Sequence, residues 1–192
     1  AWLAEIRNRQ PELRTEKLAR YKKDYDIPEY DAKIITESKK LADLFEAATA
    51  ICKKPKKVSN WLMGETMRLL KESGMEPEDL SFAPENLAKL IELIDTGAIN
   101  GTVGKEVFEE IFRNNTDPRR YVEEKGLNTV NDEGALRAAI EQVIAENPQS
   151  VEDFHSGKKK AMGFLVGQTM KAMGGKANPQ MVNKILTELL TK

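Results

Sequence analysis

Apolar residues return every three or four positions along almost the whole of this chain, and no stretch alternates with a period of two. Such a pattern gives each helix one buried stripe and offers no face on which a sheet can form, so it confines the fold to helices packed on helices. Leu41, Leu44, Phe45, Ala48 and Ile51 make one stripe. Leu87, Leu90, Ile91 and Ile94 make a second, and Val103, Val107, Phe108 and Ile111 a third. Aromatic residues are only 6% of the 192, which suits a core of Leu, Ile, Ala and Met better than a sandwich or barrel. The expected fold class is all-α, with a helical domain over 1–128 and a small three-helix tail domain over 129–192.

Glycines, prolines and caps set the expected boundaries. Pro11 opens a helix that runs to about Tyr25, after Trp2 to Gln10 as the tail of an earlier element. Thr36 or Ser38 caps the next helix, and Lys53-Lys54-Pro55-Lys56-Lys57 reads as a solvated basic loop. The helix after it carries Val58, Trp61, Leu62 and Leu69 and stops at Gly74. Met75 to Pro84 is a connector. Helices follow over Asn86 to Thr96, around Val103 to Ile111, and from Asp117-Pro118 to Gly126. A boundary near Leu127 to Val130 precedes an Asn131-Asp132 cap. The tail helices are expected at about 131–146, 157–173 and 179–191, with a short turn from Pro148 to His155. Gly97-Ala-Ile-Asn100 and Gly175-Lys-Ala-Asn178 echo one another, as a reused helical hairpin or, the better fit, as two similar caps.

Several function classes lack the residues they need. One cysteine, Cys52, permits neither an intrachain disulfide nor a thiolate zinc cluster, and a reducing cytoplasm is the expected compartment. No apolar run has membrane-spanning length and no signal peptide is evident. The start at Ala1-Trp2-Leu3, without Met, suggests a fragment. His155 is the only histidine and lies far from Cys52 in sequence. Gly101-Thr-Val-Gly-Lys105 lacks the spacing of a phosphate loop, and there is no dinucleotide fingerprint. No catalytic residue and no metal-ligand set is expected.

Charge is unevenly spread. The chain carries a net −1, yet no Asp or Glu occurs from Gly157 to Thr187, where Lys158, Lys159, Lys160, Lys171, Lys176 and Lys184 stand. The rest therefore carries −7. On a helix of about 100° per residue, Met162, Leu165, Val166, Thr169, Met170 and Met173 share one face. Lys160, Gly163, Phe164, Gly167, Gln168 and Lys171 share the other. Two glycines inside a helix cost about 1 kcal/mol each relative to alanine, and lysines at its start oppose the helix dipole. Both features suit an anion beside exposed amides and a bulky partner close to the backbone. On the pattern alone, Gly163 and Gly167 fit either such a partner or close packing against the helix near 131–146. Phe164 reads as a second core contact ahead of a base-stacking platform.

Gly157-Lys-Lys-Lys-Ala-Met-Gly-Phe-Leu-Val-Gly-Gln-Thr-Met-Lys171 and Gly175-Lys-Ala-Asn-Pro179 resemble the C-terminal signature shared by the B subunit of glutamyl/aspartyl-tRNA amidotransferases and small YqeY-type helical proteins. Pro11-Glu-Leu-Arg14, Tyr30-Asp-Ala32, Lys56-Lys-Val-Ser-Asn-Trp61, Leu93-Ile-Asp-Thr-Gly-Ala-Ile99 and Gly104-Lys-Glu-Val107 resemble the B subunit in particular. Arg14 stands where that family often has Pro, and Ala172-Met173 where it often has Thr-Lys. The resemblance implies a fragment that grips the body of tRNA(Gln) or tRNA(Asn), within an enzyme that amidates Glu-tRNA(Gln) or Asp-tRNA(Asn) at the expense of glutamine. ATP and Mg²⁺ are then expected in a missing N-terminal domain, which also joins the A and C subunits of the amidotransferase. The fragment itself is expected to be monomeric, inactive, cofactor-free and away from any membrane. On this reading Lys158, Lys159, Lys160, Lys171 and Lys176 contact phosphates, Gly163 and Gly167 allow close approach, and Gln168 and Asn178 make polar contacts. A protein-docking module, a stand-alone YqeY-type protein and, least supported, a hydrolase built on His155 are the competing readings.

Overall fold

A computed structural model describes residues 12–191. Every regular element in it is helical, and the one β contact is an isolated parallel bridge between Val130 and Ala177. The all-α expectation holds because the apolar stripes are mainly the buried faces: Leu41, Phe45 and Ala48 are each at most 1% exposed, as are Leu87, Leu90 and Ile91, whereas Ile51, in the last turn of its helix, is 49% exposed. The expected start at Pro11 and the element at Trp2 to Gln10 lie outside the described residues.

Contacts divide the chain into two compact units, one comprising the described residues up to Glu92 with Phe108–Pro118, the other Leu93–Val107 with Arg119 onward. The first unit opens with α1 (Arg14–Asp24), α2 (Glu29–Glu37) and α3 (Lys39–Cys52). Helix α2 is absent from the periodicity reading. It is nine residues long, and only Ala32, Ile35 and Thr36 are buried, too few to mark a stripe. Ser38 caps α3, its hydroxyl accepting from the Leu41 amide at 3.2 Å. A network ties α1 to α3: Glu46 accepts from the Tyr21 hydroxyl at 2.6 Å and from Arg20 at 2.8 Å, with Lys17 at 3.2 Å.

The next helix corrects the basic loop. Pro55, Lys56 and Lys57 are the first turn of α4 (Pro55–Trp61), because Pro is well placed where an amide has no partner anyway. A π-helical turn, Leu62–Thr66, joins it to α5 (Met67–Ser73). Gly74 ends that run at φ 63°, a left-handed conformation that glycine adopts without strain. A 3-10 turn at Pro77–Asp79 is the only regular part of the connector, and Pro84 rather than Asn86 begins α6 (Pro84–Asp95). Then come α7 (Gly101–Asn114) and α8 (Pro118–Lys125).

The remaining elements are α9 (Glu133–Glu146), α10 (Pro148–His155), α11 (Lys159–Ala172) and α12 (Pro179–Leu190). Pro148–His155 is thus an eight-residue helix in place of the expected turn. Asp132 caps α9, accepting from the Gly134 and Ala135 amides. The repeated Gly-x-x-Asn segments prove to be matching turns within the second unit. Gly97 and Gly175 have φ of 73° and 75°, and Ile99 and Ala177 are buried. The consecutive amides of Thr129 and Val130 donate to the equivalent carbonyls, Ala98 and Lys176, each at 2.8 Å. Asn100 caps α7 through the Val103 amide and also donates to the Gly175 and Ala177 carbonyls.

Candidate nucleic-acid interface

The charge asymmetry of the sequence becomes one face of α11. Its inner side belongs to a core of Leu136, Ile140, Val143, Leu165, Ala177, Val182, Ile185, Leu186 and Leu190. Leu165 and Thr169 are fully buried, and Met162, Val166, Met170 and Met173 pack against that core. The Thr169 hydroxyl satisfies itself on the Leu165 carbonyl at 2.9 Å. This is the predicted stripe, and it fixes which residues point away.

Those residues are Lys160, Gly163, Phe164, Gly167 and Lys171, all exposed, with Gln168 half-buried at the margin. A Cβ built on Gly163 or on Gly167 meets nothing within 4 Å. Close packing against a neighbouring helix is therefore not what keeps these positions bare, and the open alternative is resolved in favour of a free backbone surface. Phe164 is 47% exposed, which overturns its reading as a core contact. At about 100° per residue it falls on the outer face among Lys160, Gly167 and Lys171, with the core on the opposite side of the helix.

The helix start is equally undefended. No side chain caps α11, Lys158 stands at the N-cap position, and its first turn holds no acid. Lys159, Lys160 and Lys171 are exposed and have no ion-pair partner among the described residues. Lys158 differs from them, for its ammonium donates to Asp153 at 2.8 Å. That hydrogen bond holds the Asp153 carboxyl below its ordinary range. Lys176 is half-buried, and its carbonyl is taken by Val130. Asn178 is already occupied: its oxygen caps α12 by accepting from the Gln180 and Met181 amides, and its amide donates to Asn131 at 3.1 Å. The structure therefore gathers Lys158, Lys159, Lys160, Gly163, Gly167, Gln168 and Lys171 on one helix, and gives Lys176 and Asn178 to the turn that starts the next.

His155 makes a structural bond, its Nε2 lying 2.9 Å from the Leu190 carbonyl. Gly101 to Lys105 lie inside α7, not in a loop. Among the described residues no group of three or more His, Cys, Asp or Glu could hold a metal ion, and no helix is long and apolar enough to cross a membrane.

Comparison with known proteins identifies the setting of this face. The model of the GatB domain family matches residues 43–190, most of the chain and all of α11. The chain belongs to the GatB domain family. A protein of Agathobacter rectalis, named as the B subunit of an aspartyl/glutamyl-tRNA(Asn/Gln) amidotransferase, is 66% identical over 189 residues, 98% of this chain. Namesakes from Lachnoclostridium phytofermentans and a Thermoanaerobacter species are 62% and 54% identical, each across 100% of it. The chain spans about 40% of the length of these GatB relatives. The open lysine and glycine face of α11 thus sits inside the matched GatB region rather than in an appended segment.

Proposed function

We propose that this GatB-family chain is the tRNA-holding C-terminal part of an amidotransferase B subunit, and that the outer face of α11 is what meets the tRNA. The observation that carries the reading is the combination on that face of bare, unobstructed glycines with Lys159, Lys160 and Lys171, which have no ion-pair partner among the described residues, and no acid within the helix itself. Phosphates attract lysines whatever the base sequence, and amides at an uncapped helix start add donors aimed the same way. Gly163 and Gly167 let a sugar-phosphate strand come within contact of the helix backbone. Recognition of this kind reads shape and position, which is what holding the body of a tRNA requires.

The substrate is then Glu-tRNA(Gln) or Asp-tRNA(Asn). The chain contributes grip, and activation of the aminoacyl carboxylate with ATP and Mg²⁺ belongs to the part of the parent protein outside it, as do the contacts with the A and C subunits. Lys159, Lys160 and Lys171 are the principal phosphate partners. Lys158 joins them by exchanging Asp153 for a phosphate, and Lys176 adds one contact at the next turn. Asn178 acts through its backbone turn rather than through its carboxamide, which is engaged.

The test is binding of unacylated tRNA(Gln) to the 192-residue chain and to Lys160→Glu/Lys171→Glu. Both substituted positions are exposed, so helicity by circular dichroism is expected to stay the same while affinity falls at least tenfold. The slope of log K against log salt should flatten by about 2, one for each lost phosphate contact. Equal affinity of the two proteins at low salt would contradict the assignment.

A further inference from the structure

Phe164 is an exposed large hydrophobic side chain in a helix whose other large apolar residues all reach the core. Leu165 is in that core and Met162, Val166, Met170 and Met173 pack on it; Phe164 does neither. Phe164 is 47% exposed, so about half of it is open to solvent. Side chains of a helix lean towards its N-terminus, so the residues one turn later, at 167 and 168, flank a ring at 164. Here they are Gly167, which has no side chain to cover it, and the half-buried Gln168; position 163 beside the ring is Gly163, and both glycines are open to solvent. Lys160 lies about one turn below the ring and Lys171 about two turns above it, within the same stripe of the helix. A flat apolar surface framed by unpaired lysines matches one kind of partner by charge and by shape: a nucleic-acid strand that offers phosphates and an unstacked base together. A protein surface seated here would have to supply acids at both ends of an apolar contact.

Resting on the tRNA-holding reading above, we propose that Phe164 is a stacking platform for an unpaired nucleobase, so that α11 engages a loop of its RNA rather than duplex alone. Base stacking on an aromatic side chain tolerates any base and adds to the lysine contacts without depending on salt. Gly167 and Gly163 keep the space above and beside the ring for the base and its sugar. The glycines and the phenylalanine then have one common purpose, which stability alone does not give them.

Two probes separate the contributions: an unacylated tRNA(Gln) transcript, and a blunt RNA duplex with the same number of phosphates and no unpaired base. Phe164→Ala in the 192-residue chain is expected to weaken tRNA binding about ten- to a hundredfold and leave duplex binding unchanged. Phe164→Leu, apolar but without an aromatic face, should behave like Phe164→Ala. Phe164→Trp should bind tRNA at least as tightly as the wild type, which also rules out misfolding as the cause. Unchanged tRNA affinity in Phe164→Ala, with salt-sensitive wild-type binding, overturns the platform and leaves the tRNA reading standing. Equal losses for tRNA and duplex, or wild-type behaviour of Phe164→Leu, overturn it as well. A Phe164→Ala protein that binds both RNAs normally but no longer copurifies with the other amidotransferase subunits assigns the ring to a protein contact and overturns the proposal. No binding of either RNA by the wild type removes both readings together.

Discussion

Single residues of α11 carry a conflict between stability and use. A glycine inside a helix gives up about 1 kcal/mol to alanine, and at Gly163 and Gly167 a Cβ would touch nothing. Gly163→Ala and Gly167→Ala should therefore each stabilise the chain by up to about 1 kcal/mol in urea denaturation. The same substitutions should weaken tRNA binding, Gly167→Leu more than Gly167→Ala, because the added side chain occupies the surface the strand approaches. Destabilisation by either alanine would mean that the positions are bare for a folding reason. Lys158 offers a test of opposite sign. Its carboxylate partner competes with phosphate, so Asp153→Asn should raise tRNA affinity a few-fold at low salt, measured by anisotropy. At this scale the sequence was half legible. The buried stripe followed from spacing, and so did the residues opposite it. The outward placement of Phe164 followed as well, since it falls among Lys160, Gly167 and Lys171; its reading as a core contact came from the general tendency of large apolar side chains to be buried, which the spacing opposed. Asn178 was readable as a cap, and its second bond to Asn131 was not, since that residue is 47 positions away.

Among elements, boundaries marked by glycine, proline and a capping side chain were legible, as at Gly74, Gly97, Gly126 and Asp132. Short helices were not. Glu29–Glu37 and Pro148–His155 bury too little to display a period, and their existence depends on the neighbours they pack against. The matching turns at Gly97–Asn100 and Gly175–Asn178 show how a weak echo in sequence becomes a structural pair. Asn100 caps α7 and also holds two carbonyls of the other turn, whereas Asn178 caps α12 and donates to Asn131, itself exposed. Loss of a cap costs about 1 kcal/mol, and each further buried bond lost adds about 1 kcal/mol. Asn100→Ala should thus destabilise by about 2–3 kcal/mol and Asn178→Ala by about 1 kcal/mol in urea titrations. Equal costs would refute the pairing of the turns.

The tie between α1 and α3 makes a pH prediction. Burial pushes the Glu46 carboxyl up, but the hydrogen bonds from Tyr21, Arg20 and Lys17 together outweigh it and hold the group below its ordinary value. A carboxylate whose folded value is depressed stabilises the fold above its unfolded value, about 4.3, and that contribution disappears as pH falls through the folded value. Glu46→Gln should cost about 1–2 kcal/mol at pH 7, by analogy with other charged hydrogen bonds. The difference from wild type should shrink steadily below about pH 4. A difference that is constant from pH 7 to pH 3 would show that the carboxylate charge is not what holds the helices.

For the molecule as a whole, net charge conceals the feature that matters. A value of −1 describes a chain with no attraction for a polyanion, yet it averages an acid-free segment with a strongly acidic remainder. The family and the helical architecture were legible because both rest on long stretches of sequence. The openness of the lysine and glycine face was not, since it depends on what the rest of the fold leaves uncovered. The central claim is that this face binds tRNA through phosphates, and the salt dependence of binding addresses it most directly. Titrating unacylated tRNA(Gln) with the 192-residue chain over a range of salt concentrations should give a slope of log K on log salt of about −2 to −4, the value for three to five phosphate contacts. A slope near zero, or no binding at the lowest salt, would contradict the account.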